Sequence, residues 1–237
     1  MALTALLDGL LMAERTGSAP RVLALHGWGR TRADLLPAVE GVAALVPDLP
    51  GFGASPPPPE AWGSQDYATL LAPLLEGGGW TVLGHSFGGR VAVQLAAGWP
   101  GLVSGLVLTG VPLLRRTTGG SSAPWGFRLA RSLNRFGIVG DARMEEQRRR
   151  YGSADYRAAS GVQRDCLVRL VNEDYRDLLP KITAPVQLVW GAGDTAAPLA
   201  MAHEAKALLP SATLRVSPTS GHLLDAPLLA LLRECLA

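Results

Sequence analysis

The stretch that most constrains this 237-residue chain is Gly84-His85-Ser86-Phe87-Gly88. Residues 80–83 before it read as a short buried strand, and residues 90–97 after it read as a helix. A serine in a strand-to-helix turn with glycines two before and two after it matches G-x-S-x-G, where the turn presents the hydroxyl at the edge of a sheet. The glycines permit a bend too crowded for larger side chains. The helix that follows directs its N-terminal N–H groups into the same space. Ser86 is the candidate nucleophile, and a serine hydroxyl needs a base to become one.

Four histidines are available. His26 opens a loop after an early strand and reads as a turn-shaping residue. His85 adjoins the serine and points away from it, and His203 lies mid-helix beside Glu204 at a solvated position. His222, in Ser220-Gly221-His222, falls on a loop between the last strand and the last helix. In an α/β sheet the ligand crevice lies at such carboxyl ends of strands, so His222 is the candidate base. Asp194, in Gly191-Ala192-Gly193-Asp194 after a strand at 185–190, is the candidate carboxylate that fixes the imidazole tautomer. Asp174 and Asp177 read as exposed helix acids, and no acid follows the strand ending at Thr109-Gly110. The order Ser86, Asp194, His222 is that of one known triad type. The backbone N–H groups of Phe87 and Trp28 are candidate oxyanion donors.

Around this site the chain alternates strand and helix, which predicts a parallel sheet covered by helices on both faces. Strands are expected at 3–7 and 10–14, joined by the turn-forming Asp8-Gly9, and at 21–25, 102–108, 185–190 and 213–216. A further short strand ends at Val46. Helices are expected at 34–45, 65–75, 199–209 and 223–236. Residues 112–180 break the alternation with long charged helical stretches. They follow a strand's carboxyl end, so the expectation is a core of residues 1–111 and 181–237 with 112–180 inserted as a helical lid over the crevice. The insert carries 13 Arg against 8 Asp and Glu, +5 net, while the remainder carries −3. These arginines read either as a docking surface or as solvated helix faces.

Composition closes off other classes. Hydrophobic residues make up 48% and charged residues 18%, which fits a packed globular protein and not a disordered one. A net charge of +2 with no basic stripe interleaved with aromatics argues against nucleic acid. Cys166 and Cys235 make no disulfide framework or zinc motif, so no metal is expected. No apolar run is long enough to span a membrane, and no basic residue precedes Arg15, which argues against a signal peptide. A soluble cytoplasmic protein is expected.

On these residues the chain resembles the α/β-hydrolase fold superfamily, in its serine-nucleophile branch with an inserted helical lid. The resemblance rests on His26-Gly27-Trp28-Gly29, Asp48-Leu49-Pro50-Gly51-Phe52-Gly53, Gly84-His85-Ser86-Phe87-Gly88-Gly89, Gly193-Asp194 and Gly221-His222. It implies an eight-stranded, mostly parallel sheet whose second strand is antiparallel, a catalytic triad, and no cofactor. Ser86 stands where haloalkane dehalogenases and epoxide hydrolases carry an aspartate nucleophile, which excludes those groups. The first two strings are similar to those of bacterial pimeloyl-carrier-protein methyl esterases, which usually carry Trp at the position of His85. Gly88-Gly89-Arg90-Val91 is similar to the menaquinone-pathway synthase, a lyase with the same triad.

The reading is a carboxylesterase that cleaves small esters through an acyl-enzyme on Ser86. Three alternatives share the triad: a methyl esterase acting on an acyl chain borne by an acidic carrier protein docked at the basic lid, a lyase on an anionic substrate, and a non-catalytic ligand receptor. Trp28, Arg90, Trp125 and Phe127 are the candidate substrate-binding residues, with Arg90 alternatively a structural ion-pair partner. Leu113, Leu114, Phe136 and Leu167 join Trp125 and Phe127 as candidate pocket linings, or else as ordinary lid packing.

Overall fold

The computed structural model describes residues 3–115 and 154–237. Trp125, Phe127 and Phe136 lie outside the described residues. Eight strands form one sheet: β1 (Leu3–Leu6), β2 (Leu11–Thr16), β3 (Val22–Leu25), β4 (Ala44–Asp48), β5 (Trp80–His85), β6 (Val103–Thr109), β7 (Val186–Gly191) and β8 (Ala212–Ser217). Their order across the sheet is β1-β2-β4-β3-β5-β6-β7-β8. Strand β2 runs antiparallel to both neighbours, and every other pairing is parallel, as the resemblance implies.

The central strands of the sheet are largely buried on both faces, and the alternation of side chains along them divides their residues between two apolar clusters. Leu23 and Leu25 of β3, Leu106 and Leu108 of β6, and Leu188 and Trp190 of β7 point into the larger cluster. Val22, Ala24, Val107 and Val189, the intervening residues, point into the smaller one. Helices α1 (Ser64–Leu71) and α2 (Phe87–Gly98) cover the larger side with residues such as Tyr67, Leu71, Val91 and Leu95. Two further helices, α3 (Ala154–Ala158) and α4 (Gly161–Leu170), fall within the expected insertion, and α5 (Leu199–Leu208) follows β7. The final helix, α6 (Ala226–Leu236), packs Leu228 and Leu232 into the smaller cluster. Among the described residues, no helix is long and apolar enough to cross a membrane.

Two expected helices differ from the structure. The helix expected at 34–45 is replaced by two 3₁₀ turns, Arg32–Asp34 and Leu36–Val39. Pro37 removes one N–H from any ladder, Gly41 sits at φ +78°, and β4 claims the chain from Ala44. Leu35, Ala38 and Val39 still bury fully against the sheet, so the apolar pattern serves 3₁₀ turns and not an α-helix. The last helix starts at Ala226 and not at 223, because Asp225 caps it by accepting the Leu228 N–H at 3.1 Å. Leu223 is left exposed ahead of the cap.

Candidate active site

Strand β5 ends at His85 and α2 begins at Phe87, leaving Ser86 alone to make the reversal. Its backbone takes φ 51°, ψ −111°, a conformation costly for a residue with a Cβ. Close approach explains the flanking glycines. A Cβ on Gly84 would sit 2.4 Å from Gly89 Cα, and one on Gly88 would sit 2.2 Å from the Leu25 carbonyl oxygen. Ser86 N–H donates to Thr109 O at 3.0 Å and Gly88 N–H donates to His26 O at 3.0 Å, which ties the turn to β6 and to the loop after β3.

The three residues picked from the sequence converge. His222 Nε2 lies 3.1 Å from Ser86 Oγ, and His222 Nδ1 lies 2.9 Å from Asp194 Oδ2. A carboxylate only accepts, so the Nδ1–H is donated to Asp194 and the Nε2 lone pair faces the serine hydroxyl. Asp194 is 4% exposed, and its other oxygen accepts the N–H groups of Ala196 at 2.9 Å and Ala197 at 2.8 Å. The carboxylate is thus held in place from both sides. Serine, imidazole and carboxylate in this arrangement can transfer a proton from Ser86 to His222 while Asp194 offsets the charge that forms.

The His26 loop is fixed by two further groups. Leu49 N–H donates to His26 Nε2 at 2.9 Å, so the ring proton is on Nδ1 and is donated to Gly27 O at 2.7 Å. Burial lowers the His26 pKa, keeping the ring neutral. Asp48, fully buried, accepts the backbone N–H of Arg32 at 2.8 Å, the Arg32 guanidinium at 2.6 Å and the backbone N–H of Ala54 at 2.9 Å. These bonds account for the His26-Gly27 and Asp48-Leu49 pairs as mutual supports of one loop. Among the described residues, neither Trp28 N–H nor Phe87 N–H donates to a protein acceptor.

A cavity of about 150 Å³ opens beside Ser86 and His222. Trp28, Phe87, Leu167 and Leu170 give it apolar walls, and Arg90 and Asp155 give it charged ones. Trp28 and Phe87 stack edge-on with ring centroids 5.5 Å apart. Arg90 donates to the Leu170 carbonyl and lies 5.9 Å from the Tyr175 ring, so among the described residues it ties α2 to the end of α4 through a carbonyl and a π face. Leu167 lines the cavity, whereas Leu113 and Leu114 belong to the main apolar cluster. Asp174 and Asp177 are exposed, in irregular chain and a turn and not in helices, and His203 is exposed on α5. Among the described residues, no group of three His, Cys, Asp or Glu is arranged to hold a metal ion.

Two residues near the site escaped sequence reasoning. Gly110, at φ +57°, leaves room for the His222 ring and the Asp194 carboxylate. The second is His85, whose ring turns toward the His222 loop. Each is defined by contacts with chain more than 80 residues away, for which local pattern gives no signal.

Fold and site together define an α/β hydrolase. Residues 22–233 match the Alpha/beta hydrolase family, and the chain belongs to it. It is 33% identical to the pimeloyl-[acyl-carrier protein] methyl ester esterase of Aromatoleum aromaticum, with 91% of this chain and 95% of that protein covered. The protein of the same description from Nitrosomonas europaea is 31% identical, over 88% of this chain and 91% of its own. Among solved structures, an esterase from Exiguobacterium antarcticum superposes with a TM-score of 0.67 at 22% identity, covering 90% of this chain and 88% of the other. At that identity the likeness is one of fold.

Proposed function

We infer that the protein is a cytoplasmic serine ester hydrolase. The observation that carries this reading is the unbroken contact chain from Ser86 Oγ through the His222 ring to the buried Asp194 carboxylate, at the mouth of an apolar cavity. In this reading Ser86 Oγ attacks the ester carbonyl while His222 Nε2 takes its proton. The oxyanion of the tetrahedral intermediate accepts from the Trp28 and Phe87 N–H groups. Collapse breaks the carbonyl–alkoxy bond, and His222 returns the proton to the departing alcohol. Water then attacks the acyl-enzyme with the same base, releasing the acid and restoring the serine.

The cavity favours a small acyl group, since a space of about 150 Å³, apolar on the Trp28, Phe87, Leu167 and Leu170 side, is about the size that holds a benzene ring. Trp28 and Arg90 are the substrate-facing residues in this reading, and residues 112–180 are the lid. That α4 and its following turn wall the cavity with Leu167, Leu170 and Val171 supports the lid assignment. Hydrolysis of p-nitrophenyl esters from acetyl to decanoyl, native against Ser86→Ala, tests the whole. Turnover highest on short acyl chains and absent in the variant is expected. Equal turnover in the variant contradicts it.

A second reading rests on the two relatives described as pimeloyl-[acyl-carrier protein] methyl ester esterases and on the +5 charge of residues 112–180. In it the scissile bond is a methyl ester on an acyl chain whose far end is carried by an acidic protein, drawn to the basic insert by its field. Methyl esters presented on such a carrier would then be cleaved faster than the free methyl esters, with an advantage that shrinks as salt is raised.

A further inference from the structure

His85 is the last residue of β5, directly before the nucleophile, is 2% exposed, and takes no part in the proton transfer outlined above. Its Nε2 lies 2.9 Å from the main-chain carbonyl oxygen of His222. A carbonyl only accepts, so Nε2 carries the proton and donates it. The other ring nitrogen, Nδ1, is buried without a partner among the described residues. It faces Gly27, where a Cβ would sit 2.9 Å from it. The ring therefore stands between the loop that presents Trp28 N–H and the loop that presents the His222 imidazole.

We propose that His85 is a positioning residue for His222, its neutral Nε2–H anchoring the backbone of the base so that the imidazole meets Ser86 Oγ. The inference rests on the assignment of Ser86 and His222 as nucleophile and base. The donor has to be neutral for a physical reason. The two rings are 5.2 Å apart, and a cation at His85 would oppose the imidazolium that His222 becomes when it takes the serine proton. Burial supplies that neutrality by lowering the His85 pKa to about 4. The same orientation accounts for Gly27, because any side chain there would press on the His85 ring and hence on both loops.

The test compares two polar variants of similar size. In His85→Gln the amide nitrogen lies near the place of Nε2 and keeps a neutral donor; in His85→Asn the shorter side chain does not reach the carbonyl. Both are assayed with a short p-nitrophenyl ester beside native protein and Ser86→Ala, with thermal unfolding recorded for each. The expected result is a kcat lowered about tenfold or more in His85→Asn with KM within twofold, and a kcat within threefold of native in His85→Gln, since displacement of a reacting group by about 1 Å costs up to about a hundredfold. Equal kcat in the two variants, whether both high or both low, overturns the positioning role. The rate of Ser86 labelling by a fluorophosphonate gives a second readout, expected to fall in His85→Asn alone and to speak against the proposal if it does not. Should Ser86→Ala retain turnover, the nucleophile assignment itself fails and this inference with it, an outcome distinct from equal His85 variants on a background where Ser86→Ala is inactive.

Discussion

Gly110 and His222 are fitted to each other: a Cβ on Gly110 would stand 3.2 Å from His222 Nδ1 and 3.2 Å from Asp194 Oδ2. The residue just after β6 thus leaves open the space in which the His222 ring and the Asp194 carboxylate meet. Its backbone, at φ +57°, reinforces the choice, because a side chain is strained in that region wherever it points. Gly110→Ala is expected to lower kcat about tenfold with little change in KM, as the imidazole and carboxylate are pushed apart. Steady-state kinetics of the purified variant check this, and a kcat within twofold of native would show that the site absorbs the extra carbon.

Asp194→Asn should be far more damaging than its small change in shape suggests. With an amide at this position the His222 ring can be held in the tautomer whose Nε2 carries the proton, and it then no longer accepts one from Ser86. A loss of about a thousandfold or more in kcat is expected on the precedent of serine-histidine-aspartate sites in general. Ester hydrolysis measured beside circular dichroism separates this from misfolding, because the variant keeps the native spectrum in the account given above.

Stability should depend on pH through His85. Its folded pKa of about 4 lies below the ordinary imidazole value of 6.5, so between these two values the unfolded chain binds more protons than the folded one. Stability is therefore complete above about pH 6.5 and declines as pH falls toward 4, by an amount on the order of 3 kcal/mol. His26, also lowered by burial, adds to the decline in the same direction. Burial is the largest cause; the His222 ring adds to it, while the His222 carbonyl, Asp34 and Asp194 act in the opposite direction and are outweighed. Urea unfolding at pH 7 and pH 5 measures the slope. In His85→Gln, which has nothing to protonate at this position, the slope should be smaller.

The parts of this molecule that were legible in the sequence are those that short-range chemistry dictates. An apolar run entering Gly84-His85-Ser86-Phe87-Gly88 leaves few conformations open, and the structure adopts the expected strand, turn and helix. Asp194 and His222 were found because each follows a strand, and strand ends in such a sheet share one edge. Residues 34–45 misled, since apolar residues at helical spacing there serve two 3₁₀ turns cut short by Pro37 and Gly41. Gly110 and the orientation of His85 were beyond reach for a different reason. What makes them matter is contact across the fold, with the His222 loop more than 100 residues later, and neither leaves a periodic or compositional trace.

The central claim is that Ser86 is the nucleophile, and trapping the acyl-enzyme tests it most directly. The protein is mixed with p-nitrophenyl acetate, quenched in acid during turnover, digested and read by mass spectrometry. The account predicts one acetyl group on the peptide that carries Ser86, absent from Ser86→Ala, which also loses turnover. An acetyl group on another residue, or turnover that survives in Ser86→Ala, would contradict it.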